Sequence, residues 1–457
     1  MKDAIYHTVM FLLRAAEPEY FRRILIDGRP CDDPSRHLIV VANHPFGVQD
    51  AFLLAYAYTR PFYFAATALN FQTRQGDRIK RRRLRGWFMR RCHVLPIIRN
   101  RAEGDMKQNL ETFQTASARI AEGHALGIFA EGDSRGNQWN LLKLKAGAAE
   151  IALRVAEMLK QQNASVSIQV VGITYTDWNR PFKSTVTVKF AEPFEVDAVD
   201  DADRAAVRAA RRDITGRMTD LMQQLTVQIP GPYCELSGKI AQFYAADYPD
   251  DYLRLKGVAA EVVRWAEHAG DERVEIQRLL DEYLTLADEL RIYPGEERRR
   301  RNAVLLLLAA LPAYMGFVIH WPILWGTRRL VPAEKTELHA LGSNRVMCGI
   351  LLTTGFYVTL IVTATAIGVW RYGFWGLPVA LSAVTIVGAC GLIASRALRH
   401  VNLLFCRWFD FSGRYRRYTK LGRMLRARLE VYRRGEAPPP ITATGGDETT
   451  EQNAMPG

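Results

Sequence analysis

The sequence predicts an α/β fold: a mixed sheet flanked by helices, then a helical region, then a C-terminal transmembrane hairpin. Three observations carry this reading. Between residues 37 and 199, short apolar runs alternate with helical patterns, which is how a sheet layered against helices reads. From residue 200 to 291 the pattern is helical, rich in Ala, Arg, Glu and Leu, with a break at Pro230-Gly231-Pro232. Beyond it lie uncharged apolar segments longer than the ~20 residues that cross a bilayer.

Residues 1–36 open with an apolar stretch at 4–13, followed by Arg14, Glu17 and Glu19. It is short and wrongly flanked for a secretory signal, and reads as an amphipathic helix lying on a bilayer. A first strand or loop follows at 23–28. Residues 37–199 form the α/β domain and 200–301 the helical region. Segment 302–327 is apolar but holds Pro312, His320, Trp321 and Pro322, which suits an interfacial or re-entrant piece. Segment 346–395 is interrupted only by Arg371 and reads as a transmembrane helical hairpin. Residues 396–435 are strongly basic, and 436–457, with Pro438 to Pro440, read as a disordered tail.

With 457 residues the chain exceeds one ordinary soluble domain, and its net charge of +13 favours anionic partners. The cations cluster between Arg78 and Arg91, at Arg298 to Arg301, and between Arg414 and Arg428. Trp87 and Phe88 are interleaved with the first cluster, which fits a phospholipid surface. No recognisable nucleic-acid-binding motif is present, so no nucleic acid partner is expected. Six cysteines without Cys-x-x-Cys spacing argue against a metal site or a disulfide framework. Charge also sets the topology. If all three apolar segments crossed, Arg328, Arg329, Lys335, Arg345 and the basic tail would lie outside, against the positive-inside tendency. If only the hairpin crosses, the α/β domain, that loop and the tail share the cytoplasmic face.

The densest chemistry lies at Asn43-His44-Pro45-Phe46-Gly47-Val48-Gln49-Asp50. An apolar strand-like run, 38–42, stops at Asn43-His44. Pro45 and Gly47 force a tight loop, and a helical pattern begins near Asp50. A histidine ending a strand and a carboxylate opening the next helix can meet across such a loop. The carboxylate then holds one imidazole nitrogen while the other takes a proton from a hydroxyl. Asp50 by itself would also serve as a helix N-cap.

The order Asn-His-Pro followed by Asp resembles the first signature of the glycerolipid acyltransferases, the family of lysophosphatidate and glycerol-3-phosphate acyltransferases, in the branch with Asn-His-Pro-x4-Asp. Further blocks follow in family order. Val94-Leu95-Pro96-Ile97-Ile98-Arg99 resembles the second signature. Phe129-Ala130-Glu131-Gly132-Asp133-Ser134-Arg135 resembles the Phe-Pro-Glu-Gly-x-Ser block. Leu142 to Leu153 resembles a Leu-Lys-x-Gly-Ala-Ala helix start, and Val170 to Tyr175 stands for the fourth signature, with Gly172 near the family's proline. Together they cover roughly residues 20–195.

The resemblance implies a membrane-bound O-acyltransferase. His44 and Asp50 are its expected catalytic pair. Asn43, Arg99, Glu131, Gly132, Ser134 and Lys145 are its expected substrate contacts, with Arg99 and Lys145 on a phosphate. The expected partners are membrane phospholipid, a lysophospholipid or glycerol-3-phosphate acceptor, and acyl-CoA or acyl-carrier protein as donor. No metal or redox cofactor is implied. Two alternatives stand beside this: an acyltransferase for another lipid acceptor, such as a remodelled lysophospholipid or an aminolipid, and a non-catalytic lipid-binding membrane protein. The apolar segments carry no Asp, Glu, Lys or Arg, which argues against an ion or substrate path through them.

Overall fold

Two runs rich in Val and Ile, His37–Ala42 and Val166–Tyr175, are buried along nearly their whole length, as strands covered on both faces must be. A computed structural model describes residues 4–433 apart from 68–71, 76–77, 82, 99–108, 133, 135–140, 161–163, 176–184, 201, 227–232, 245, 249–254, 256, 259–260, 263, 266–267, 296–301, 333–337 and 411. The side chains of 16–20, 67–85, 110, 234, 338–343 and 433 also lie outside the described set.

The sheet has eight strands: β1 (Arg23–Asp27), β2 (His37–Ala42), β3 (Phe62–Thr67), β6 (Val94–Ile97), β7 (Ala125–Phe129), β8 (Val166–Tyr175), β9 (Thr185–Phe190) and β10 (Phe194–Val196). Their order is β1-β9-β8-β2-β7-β3-β6, with β10 also on β8. β8, β2, β7, β3 and β6 form a parallel block. β9 and β10 pair antiparallel with opposite halves of β8, which makes the sheet mixed. A separate antiparallel ribbon joins β4 (Gln72–Gln75) and β5 (Arg78–Arg81).

Helices α1 (Ala4–Tyr20), α2 (Val48–Ala57), α3 (Arg83–Arg91), α4 (Asn109–Ala121), α5 (Gly147–Lys160) and α6 (Arg204–Leu225) flank it. Strand alternation divides the core between two faces. Val166, Ile168 and Val170 pack with α4, α5 and α6. Val171, Ile173 and Tyr175 pack with Phe46, Leu53 and Leu54 at α2. The α/β unit therefore runs past both boundaries read from sequence. β1, grouped there with the lead-in, pairs with β9, and α6, grouped with the helical region, covers the sheet through Ile214, Met218 and Met222.

A second core joins α7 (Cys234–Tyr244) and α8 (Gly270–Glu289) to the far end of the chain. Between them run three long apolar helices: α9 (Ala303–Leu330), α10 (Leu338–Tyr372) and α11 (Gly376–Trp408), followed by α12 (Arg414–Arg433). Segment 302–327 is thus helical from Ala303 on, capped by Asn302, with Pro312 and Pro322 inside the helix. A short 3₁₀ turn, Gly373–Trp375, joins α10 to α11. Ala303–Leu330 and the stretch Asn344–Trp408 are long and apolar enough to cross a membrane. Their large apolar side chains are mostly exposed, Trp370 and Leu308 among them. The Arg298–Arg301 cluster and the tail 436–457 lie outside the described residues.

Candidate active site

β2 ends at Ala42, in register with Phe129 of β7 on one side and Val171 of β8 on the other. Chain leaving these parallel strands emerges at one edge, where the open α/β sheet forms ligand crevices. His44 lies two residues beyond the end of β2. Gly47 then takes a φ of 74°, a left-handed conformation that costs glycine little, and α2 starts at Val48. The turn brings Asp50, in the first turn of α2, back onto the loop. Asp50 Oδ2 lies 2.9 Å from His44 Nδ1 and accepts the Phe46 N–H at 2.9 Å. Asp50 Oδ1 accepts the Tyr175 hydroxyl at 2.6 Å.

Asp50 is completely buried, and a buried carboxylate needs such donors to stay charged. With a carboxylate against Nδ1, the neutral imidazole carries its proton there, leaving a lone pair on Nε2. Nε2 has no hydrogen-bond partner among the described residues, and the side chain is about one-fifth exposed. The Phe129 ring stacks on the imidazole at 4.2 Å and 15°. The ring is thus fixed by its flank and by one nitrogen, with the other nitrogen open.

The chain after β7 supplies a second loop. Glu131 Oε1 accepts the His44 N–H at 2.6 Å, and Oε2 accepts the Leu142 N–H at 2.9 Å. Burial raises the Glu131 pKa, and the two amide donors partly offset this. Gly132 has a φ of 66°, and a Cβ built there would lie 2.6 Å from Lys145 Nζ. The Lys145 chain is drawn to this loop by its own N–H, which donates to Ala130 O at 2.7 Å. The ammonium therefore rests on Gly132, exposed, just before the N-terminus of α5, where an anion is favoured.

Of the residues expected from sequence, His44, Asp50, Glu131, Gly132 and Lys145 converge on this edge. Ser134 is half-buried on the same loop. Asn43, expected to contact substrate, is engaged within the fold. Its amide donates to Ile173 O at 2.9 Å and accepts the Ile173 N–H at 2.7 Å, so it clasps the end of β2 to β8 while buried. Glu131, read from sequence as orienting the acceptor or bracing its loop, has both carboxylate oxygens on backbone amides. Arg99, Asp133 and Arg135 lie outside the described residues. Ile98, beside Arg99, is held by Asn109 through a similar pair of hydrogen bonds, at 2.8 and 2.7 Å. Sequence reasoning gave no role to Tyr175 or Phe129. The signal for Tyr175 was a phenol ending a fully buried strand, since such a hydroxyl must find a partner.

A family model described as Acyltransferase matches residues 16–175. This stretch of the chain is similar to an acyltransferase domain. It contains the histidine–aspartate pair, both loops and the end of β8. Among solved structures, the chain is similar to the crystal structure of the 1-acyl-sn-glycerophosphate (LPA) acyltransferase PlsC from Thermotoga maritima, with 18% identity and a TM-score of 0.31. That alignment covers 48% of this chain and 80% of the other. No curated protein matches the chain. Among the described residues, no group of His, Cys, Asp or Glu is arranged to hold a metal ion.

Proposed function

We propose that the protein moves a fatty acyl group from acyl-CoA or acyl-carrier protein to a hydroxyl of a glycerophosphate or lysophospholipid acceptor. The observation that carries this is the 2.9 Å contact of His44 Nδ1 with buried Asp50, with Nε2 left open. Nε2 removes the proton of the acceptor hydroxyl, and the oxygen attacks the thioester carbonyl. The tetrahedral oxyanion is stabilised by backbone N–H groups opening α2, Gly47 and Val48, because the Phe46 N–H is already bound to Asp50. Collapse breaks the C–S bond. The imidazolium returns its proton to the thiolate, leaving an ester and a free thiol. Lys145 holds the acceptor phosphate, joined by Arg99.

The same reading places the domain on the cytoplasmic face of a membrane. α8 and α12 pack on each other: Tyr283 and Tyr418 stack at 4.5 Å with their hydroxyls 2.8 Å apart, and Arg417 pairs with Glu282 at 2.5 Å. Three apolar helices separate α8 from α12 in the chain, so an even number of crossings must lie between them. The α10–α11 hairpin supplies two, and α9 then enters and leaves by one face. Contacts along α9 support this. His320, mid-helix, meets Tyr357 and Gly391, each 15 residues from the hairpin turn. That is about 22 Å at the helical rise. On either side of His320, Tyr314 bonds Asn402 and Val331 bonds Arg345, 26 and 27 residues from the turn. Those sites lie about 40 Å from the turn on the same measure. Pro312 and Pro322 are the residues that allow such a bend.

The test is thioester consumption by the detergent-solubilised full chain. It is given palmitoyl-CoA or acyl-carrier protein with glycerol 3-phosphate, lysophosphatidate, lysophosphatidylethanolamine or an aminolipid. Turnover should fall ~10²–10⁴-fold in His44→Ala, the usual contribution of a general base. Near-full activity in that variant would refute the dyad.

A further inference from the structure

We infer that Tyr175 is a positioning residue for the histidine–aspartate pair, acting through Asp50; this rests on the acyl-transfer reading above. Its hydroxyl donates to Asp50 Oδ1 at 2.6 Å, the carboxylate oxygen opposite the one that faces His44. Tyr175 is fully buried, so it acts through Asp50 and not on substrate. Its place is set by the sheet. Asn43 clasps the end of β2 to Ile173, and strand alternation then puts Tyr175 on the same face as Ile173, toward α2. The rings of Phe46, at 5.4 Å, and Phe21, at 5.8 Å, hold the phenol in position.

The consequence is chemical as well as steric. The Phe46 N–H on Oδ2 and the Tyr175 O–H on Oδ1 fix the carboxylate plane, which fixes the rotation of the His44 ring. Without the phenol, Oδ1 of a buried carboxylate loses its donor and the carboxylate plane is free to turn.

The experiment compares wild type, Tyr175→Phe, Asp50→Asn and the double variant as full-length protein in detergent, with His44→Ala alongside. Tyr175→Phe should lower kcat about tenfold, the worth of one hydrogen bond to a charged group. KM for either substrate should stay within about twofold. In the Asp50→Asn background, Tyr175→Phe should cost nothing further, because the two act as one unit. That comparison decides the matter even if Tyr175→Phe lowers the melting temperature. Wild-type kcat in Tyr175→Phe, or a loss that multiplies with Asp50→Asn, would overturn the positioning role and leave the dyad standing. Undiminished turnover in His44→Ala would instead overturn the functional reading, and this inference with it.

Discussion

The backbone N–H of His44 donates to Glu131 Oε1 at 2.6 Å, so one buried carboxylate holds the main chain of the residue whose ring Asp50 holds. Two loops from neighbouring strands are thereby locked at one point. Leu142, on the far side of the β7 loop, is tied in through the other oxygen of Glu131.

Glu131→Gln should break this lock. Glutamine offers one oxygen and one NH₂ where two N–H donors converge, so an amide is left facing an amide. The expected loss is about 1–3 kcal/mol of stability, with a drop in kcat as the loop drifts. Burial raises the folded-state pKa of Glu131 above its unfolded value, so its favourable contribution is complete below the unfolded pKa and is lost as pH rises through the folded one. Wild type should therefore gain stability relative to Glu131→Gln on going from pH 7 to about pH 4. Thermal melts of both proteins across that range check the sign; a constant difference would exclude the titration.

Asn43→Ala should behave as a structural lesion. It leaves the Ile173 N–H and C=O without their buried partner, a cost of about 2–4 kcal/mol. Acceptor KM should change little in whatever folded fraction remains. A large rise in acceptor KM at unchanged melting temperature would return Asn43 to the substrate site.

Lys145→Ala should raise KM about tenfold for a phosphate-bearing acceptor, because one charge-assisted contact is lost. The change should leave kcat and the donor KM near wild type. Lys143→Ala, an equally exposed lysine two residues earlier, is the control. Equal effects from the two would mean general electrostatic attraction, not a contact at Gly132.

The hairpin topology can be read by labelling. In a background with the native cysteines replaced, Phe374→Cys sits in the turn and Ser412→Cys between α11 and α12. An impermeant maleimide added outside sealed cells should modify the first and spare the second. Labelling of Ser412→Cys from outside would overturn the cytoplasmic placement of α12 and of α8, which packs on it through Tyr283 and Tyr418.

The amino-acid pattern by itself determined the local features. Those were the strand ending at Ala42, the loop imposed by Pro45 and Gly47, the histidine and aspartate facing across it, and the apolar segments near the C-terminus. Each follows from short-range geometry: period-2 or period-3.6 patterning, backbone freedom at Gly and Pro, and the length that spans a bilayer. What only the tertiary structure decided depends on partners far apart in the chain. Asn43 looked like a substrate contact because its neighbours are reactive; Ile173 makes it a clasp. Tyr175 looked like the end of a core strand, and Asp50 makes it a hydrogen-bond donor to a buried charge. The sheet acquired β1 and α6 because their partners lie in β9 and β8. A side chain's role is set by what meets its polar atoms, and in this fold those atoms meet across strands adjacent in space and not in sequence.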